Sequence, residues 1–139
     1  MSYVSLSRIP PERVDDVMAL YRSAWWSADR SPEDVRRLLA GPHPVFAVAE
    51  RESGRLVAFA RALTDGVYKA MVFDVIVHPD HQGAGLGQRI MEDLLAHPDI
   101  ARARHVELYC LPEIEPFYAR WGFTGEIGGV RLVRRTQPR

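Results

Sequence analysis

The spacing of hydrophobic positions along this 139-residue chain changes several times, and each change marks an element. Tyr3, Ser5 and Ser7 alternate with Val4 and Leu6, which predicts a short first strand from Tyr3 to Ser7. From Pro11 to Trp25 the period lengthens, and Val14, Val17, Met18, Tyr21 and Trp25 fall on one helical face. Ser31-Pro32-Glu33-Asp34 opens a second helix, with a capping hydroxyl, a proline in the first turn and acids at the positive end of the dipole. Val35, Leu38 and Leu39 form its inward face, and Gly41-Pro42 ends it. Val45 to Arg51 and Arg55 to Leu63 read as two strands joined through Glu52-Ser53-Gly54. Thr64-Asp65-Gly66 then turns the chain into a further strand, Tyr68 to His78. Helical spacing returns from Gly85 to His97, with Leu86, Ile90, Leu94 and Leu95 inward. His105 to Cys110 alternates through Val106, Leu108 and Cys110; Pro112 to Trp121 reads as a short helix and Val130 to Arg134 as a last strand. The order β-α-α-β-β-β-α-β-α-β predicts an α+β fold, with a mixed, mostly antiparallel sheet and helices on both faces.

Composition narrows the classes. A length of 139 residues with 47% hydrophobic residues suits a single domain spanning 1–139. Eighteen basic and eighteen acidic residues cancel, which argues against a nucleic-acid partner. Arg36-Arg37, Arg102, Arg104, Arg131 and Arg134-Arg135 read as solvated faces and a tail. No apolar run approaches the roughly 20 residues needed to span a bilayer, so no membrane partner is expected. Pro10-Pro11 interrupts any leader-like run near the start. The lone Cys110 cannot form an intrachain disulfide and reads as a small core residue in a reducing, cytoplasmic setting. The five histidines show no ligand spacing, and no metal site is expected.

Candidate chemistry concentrates in Val75-Ile76-Val77-His78-Pro79-Asp80-His81-Gln82-Gly83-Ala84-Gly85-Leu86-Gly87-Gln88. A β-branched run feeds a glycine-rich turn and then a helix. Such a helix start exposes backbone N–H groups at the positive end of a dipole, a setting for phosphate or pyrophosphate. A nucleotide-binding Walker loop would need Lys and Ser/Thr after the last glycine, where Gln88 and Arg89 stand. A Rossmann turn would need G-x-G-x-x-G early in the chain, whereas this one reads G-x-G-x-G past its middle.

What the segment resembles is the acetyl-CoA signature of the GCN5-related N-acetyltransferases, in Gln82-x-x-Gly85-x-Gly87 after a strand ending Val77-His78-Pro79. A second segment, Phe117-Tyr118-Ala119-Arg120-Trp121-Gly122-Phe123, resembles that family's F-Y-x-x-x-G-F. Leu56 to Asp65 and Asp74 to Pro79 are similar to the branch containing plant and cyanobacterial serotonin (arylalkylamine) N-acetyltransferases. The resemblance implies a sheet of six to seven strands, splayed between the fourth and fifth strands to admit the cofactor. It implies acetyl-CoA as co-substrate, held by the backbone of Val75, Ile76 and Val77 and by Gln82, Gly83, Ala84, Gly85, Leu86, Gly87 and Gln88. It further implies a primary amine of a small molecule as acceptor, a homodimer as a common state, and Tyr118 as general acid to the leaving thiolate.

For each residue a plainer reading stands beside the functional one. Tyr118 is an acid or a core tyrosine. Asp74, alone in an apolar strand, is a general base in a cleft or a carboxylate paired with backbone or an arginine such as Arg61. Trp25, Trp26, Tyr21 and Tyr68 line an aromatic acceptor pocket, or Trp25 is core and Trp26 half-exposed. Arg89 meets the cofactor's 3′-phosphate or faces solvent. The family's acid at the end of the fifth strand is replaced by Leu111. A non-catalytic acyl-CoA-binding module and a protein N-terminal or lysine acetyltransferase are the competing functions.

Overall fold

The second and third strands carry the most continuous apolar runs, and they form the centre of the sheet. The computed structural model describes residues 2–139. Its elements are β1 (Tyr3–Leu6), α1 (Val14–Ser23), α2 (Pro32–Ala40), β2 (Val45–Glu50), β3 (Leu56–Thr64), β4 (Lys69–Val77), α3 (Leu86–Ala96), α4 (Pro98–Ala101), β5 (His105–Glu107) and α5 (Glu115–Ala119). One-turn 3-10 segments cover Pro11–Arg13, Pro79–His81 and Pro112–Ile114. The chain divides into two compact units, residues 1–106 and 107–139.

The sheet runs β1-β2-β3-β4-β5, and the first three pairings are antiparallel. Where β4 and β5 begin, the amides of Arg104 and His105 donate to the carbonyls of Val67 and Tyr68, so residue numbers rise together, as in a parallel approach. Residues 46–49 of β2 are all buried, which requires cover on both faces. On one face Ala47, Ala49, Phe59 and Ile76 pack with Val17, Met18, Leu20 and Tyr21 of α1 and Val35 of α2. Phe46 and Val48, opposite Ala60 and Ala58 across the ladder, point to the other face, and α3 packs on β2, β3 and β4 through Leu86, Ile90, Met91 and Leu94. The expected cap of α2 is present: the Ser31 hydroxyl accepts from the Asp34 amide at 3.1 Å.

Four expectations are corrected. The sheet has five strands among the described residues, not six to seven. β5 stops at Glu107, and Val130 to Arg134 takes no strand conformation despite its alternation. Gly128 and Gly129 enter that segment with φ of 73° and 79°, outside the extended region, and Val130, Leu132 and Val133 are exposed. Trp25 is not on the core face of α1, because the helix ends first. Ser23 Oγ donates to the Leu20 carbonyl and Ser27 Oγ to the Tyr21 carbonyl, so side chains satisfy the last turn. Cys110 is exposed rather than core, lying past the end of β5.

Candidate active site

The loop after β4 is anchored before it opens. The His78 amide donates to the Val57 carbonyl at 2.8 Å, continuing the ladder past the strand end. Pro79–His81 makes one turn and buries His81, whose Nδ1 lies 3.0 Å from the Tyr3 hydroxyl. Beyond it Gly83 and Gly85 adopt φ of 85° and 77°, conformations that cost glycine nothing and other L-residues much more. A Cβ at either position would meet no atom within 4 Å, so the glycines serve conformation and the space above the turn is open.

Gly85 starts α3 with no side-chain cap. The amides of Leu86, Gly87 and Gln88 therefore lie at an uncapped, dipole-positive end beside an exposed turn, as an anion cradle requires. Leu86 is buried and holds the helix start against the core. Gln88 turns along the helix to Glu92, with Nε2 donating to Oε1 at 3.0 Å, so its side chain is committed to the helix. Arg89 is tied back to β1, its Nε donating to Ser5 Oγ at 2.8 Å.

One strand earlier the backbone is strained. Asp74 is the one non-glycine among the described residues with positive φ, at 59°. The β3–β4 register pairs Arg61 with Phe73 and Phe59 with Ile76, so Asp74 and Val75 together lie opposite Ala60, a β-bulge. A bulge leaves ladder groups of its strand unpaired and re-aims them, here beside Val75, buried Ile76 and Val77.

The Asp74 side chain is 4% exposed. Its Oδ2 accepts from the Tyr21 hydroxyl at 2.8 Å, Arg30 Nη1 at 2.7 Å and Arg61 Nε at 2.5 Å, and its Oδ1 accepts from Arg30 Nη2 at 3.2 Å. Burial pushes its pKa up, but the hydrogen bonds and charges of Arg30 and Arg61 outweigh it and hold the carboxyl below its ordinary value. A carboxylate held ionised by two arginines is a poor proton acceptor for an ammonium, so the general-base role is not carried forward; the pairing with Arg61 is present. Tyr21, once a pocket candidate, is fully buried. Its phenol is pushed far up, first by burial and then by Asp74.

Arg30 is the residue that sequence reasoning missed. A lone acid in an apolar strand demands cations, and that demand was legible; the choice of a partner 44 residues away was not.

Trp25 and Tyr68 are 78% and 69% exposed, and Trp26 is 41% exposed. The Arg30 guanidinium lies 4.5 Å from the Tyr21 ring centre and 5.9 Å from that of Trp26. An arginine thus already flanks Trp26.

In the second unit Tyr118 sits on α5 and is 9% exposed, between Phe117 and Phe123, whose ring centres lie 5.0 and 6.0 Å away. Burial, with a smaller contribution from Cys110, pushes its phenol up to about 12. The Cys110 thiol is itself raised, by partial desolvation of its sulfur and by Glu115 and Glu113, away from the thiolate form that nucleophilic attack uses. Among the described residues no cluster of three or more His, Cys, Asp or Glu could hold a metal ion, and no helix is long and apolar enough to cross a membrane.

Comparison with known proteins agrees with this geometry. Residues 42–125 match the model of the acetyltransferase (GNAT) domain. Serotonin N-acetyltransferase 2, chloroplastic, of Oryza sativa subsp. japonica is 39% identical over 104 residues, 73% of this chain and 52% of that protein. An N-acetyltransferase of Porphyra purpurea is 39% identical over 79 residues, 57% of this chain and 45% of that protein. The chain thus spans about half the length of the curated relatives it matches. A GNAT-family protein of Xanthomonas campestris pv. campestris superposes with a TM-score of 0.81 at 28% identity, over 99% of this chain and 95% of that one. A glucosamine-6-phosphate N-acetyltransferase of Arabidopsis thaliana shares the fold, with a TM-score of 0.75 at 16% identity over 99% of this chain and all of that one. With a bulged β4, an open glycine turn and an uncapped α3 in this order, and with its family model covering more than half its length, the chain belongs to the GCN5-related N-acetyltransferase family.

Proposed function

We propose that this chain moves the acetyl group of acetyl-CoA to the primary amine of a small molecule by direct attack. The observation that carries the reading is the pairing of a bulge at Asp74 and Val75 with the open turn at Gly83 and Gly85. The turn and the first amides of α3 bind the pyrophosphate. The donor's pantetheine arm lies in a cleft splayed between β4 and β5, along the backbone of Val75 to Val77. A backbone N–H near Ile76 donates to the thioester carbonyl and strengthens that bond as the oxygen gains charge.

The amine nitrogen forms a bond to the carbonyl carbon, the C–S bond breaks, and the amine's proton passes to water. Tyr118 is the proposed acid to the departing thiolate. A thiol ionises near a pKa of about 8.5, well below the phenol pushed up to about 12. Tyr118 therefore works first as a protonated hydrogen-bond donor to the thiolate, and completes proton transfer only against that difference. With Asp74 held by two arginines, the attacking species is the amine's own neutral fraction. The name of the Oryza relative puts arylalkylamines first among acceptors to test, and exposed Trp25 and Tyr68 offer apolar walls.

The test is thiol release from acetyl-CoA over a panel of arylalkylamines, polyamines, amino acids and a lysine peptide. One small-amine class should give turnover, and Tyr118→Phe should lower kcat by about 10²-fold. Acetyl-CoA binding without thiol release from any acceptor would replace this reading with an acyl-CoA-binding regulatory module. Turnover with the peptide alone would replace the small-molecule acceptor with a protein.

A further inference from the structure

The strained residue in β4 is also the most heavily bonded side chain of the first unit. Its partners come from three places: Tyr21 from α1, Arg61 from β3, and Arg30 from the loop joining α1 to α2. That loop carries Trp25 and Trp26 and is held at both ends. Buried Ser27 donates to the Tyr21 carbonyl, the Arg30 amide donates to the Ser27 carbonyl at 3.2 Å, and Ser31 caps α2. Arg30 grips Asp74 with two parallel bonds, a fork that lysine cannot reproduce. A left-handed aspartate persists only where its surroundings over-determine it. Here they do so by joining the loop to the bulge.

We infer that Asp74 and Arg30 are positioning residues: their fork locks the tryptophan-bearing loop between α1 and α2 to the bulge of β4, so that the loop and the backbone donors beside Ile76 are set as one piece. The inference rests on the function proposed above for what the bulge does, but the lock itself is readable without turnover. Aspartate and asparagine tolerate left-handed backbone comparably. Asp74→Asn therefore removes the charge while sparing the conformation, and Arg30→Gln frees the loop while leaving Asp74 paired with Arg61 and Tyr21.

The experiment uses a Trp121→Phe background, in which Trp25 and Trp26 are the remaining tryptophans. Arg30→Gln should red-shift their emission and increase acrylamide quenching, with the far-UV spectrum unchanged. It should lower kcat, by up to about 10²-fold for a displacement near 1 Å, while acetyl-CoA affinity stays the same. Asp74→Asn should do likewise, and the double variant should be no worse than the more affected single one. Unchanged quenching in a folded Arg30→Gln, or effects of the two substitutions that simply multiply, overturns the lock. If wild type acetylates no amine, the proposed function fails while the quenching measurement still decides this inference.

Discussion

In β4 and in the turn that follows it, two places need backbone that most L-residues avoid, and they obtain it differently. At Gly83 and Gly85 the left-handed conformation costs little because no Cβ is present, and nothing crowds either position. At Asp74 the same conformation is adopted by a residue with a side chain, and three partners hold it. The glycine turn is left open, as a site for a ligand's charge must be. The bulge is filled and fixed, as a site that aims backbone donors must be. The difference teaches that a glycine supplies such backbone by lacking a side chain, whereas Asp74 supplies it through the bonds its side chain makes.

The largest effect should come from breaking the fixed site. Asp74→Ala leaves Arg30 and Arg61 facing each other without a shared carboxylate, at a cost on the order of 3–5 kcal/mol in urea unfolding. Asp74→Gly relieves the backbone and still loses the clamp. It should be nearly as unstable, and recovery to near wild type would show that strain, not pairing, dominates. At the open site Gly85→Ala should cost roughly 1–2 kcal/mol and place a methyl group where the anion would lie. Its signature should be a KM for acetyl-CoA raised about tenfold, corresponding to a loss of about 1.4 kcal/mol in donor binding, with kcat for the bound donor little changed.

Smaller still is the response to acid. The folded pKa of Asp74 lies below its unfolded value, so the pairing contributes stability that is fully present above the unfolded carboxylate pKa of about 3.9 and is lost as pH falls through the folded value. Acid unfolding of Asp74→Asn should lack that component. On the basic side, kcat/KM should rise with pH along the neutral fraction of the amine, with no inflection from Asp74. Tyr118 stays protonated throughout, its phenol being pushed up to about 12. An inflection that moves in Asp74→Asn would restore a direct proton-transfer role for Asp74.

The contrast also explains what was legible from sequence. The open turn is local: β-branched residues, His78-Pro79 and alternating glycines specify it within one segment. The cap of α2 and its buried Val35 were legible for the same reason, as were Leu86, Ile90 and Leu94 of α3, where Met91 rather than Leu95 is the fourth buried side chain. The lock on Asp74 was legible as a need and through one partner, Arg61, 13 residues away; Arg30 and Tyr21, 44 and 53 residues away, were not legible. Alternation misled at Val130 to Arg134, because period shows which faces a strand would have and not whether a neighbour pairs with it. Trp25 misled because the periodic pattern ran past Ser23, where the helix ends and the hydroxyls of Ser23 and Ser27 satisfy its last turn. Tyr118 was legible through its aromatic segment, while its raised phenol depends on burial that no motif displays.

The measurement that tests the account most directly is mass spectrometry of the amine after incubation with acetyl-CoA labelled in its acetyl carbons. The account predicts that the label appears on the amine in step with free thiol, that Gly85→Ala needs more donor to reach the same rate, and that Tyr118→Phe slows transfer at saturating donor. Thiol release with no label on any amine would mean hydrolysis rather than transfer, and would contradict the account at its centre.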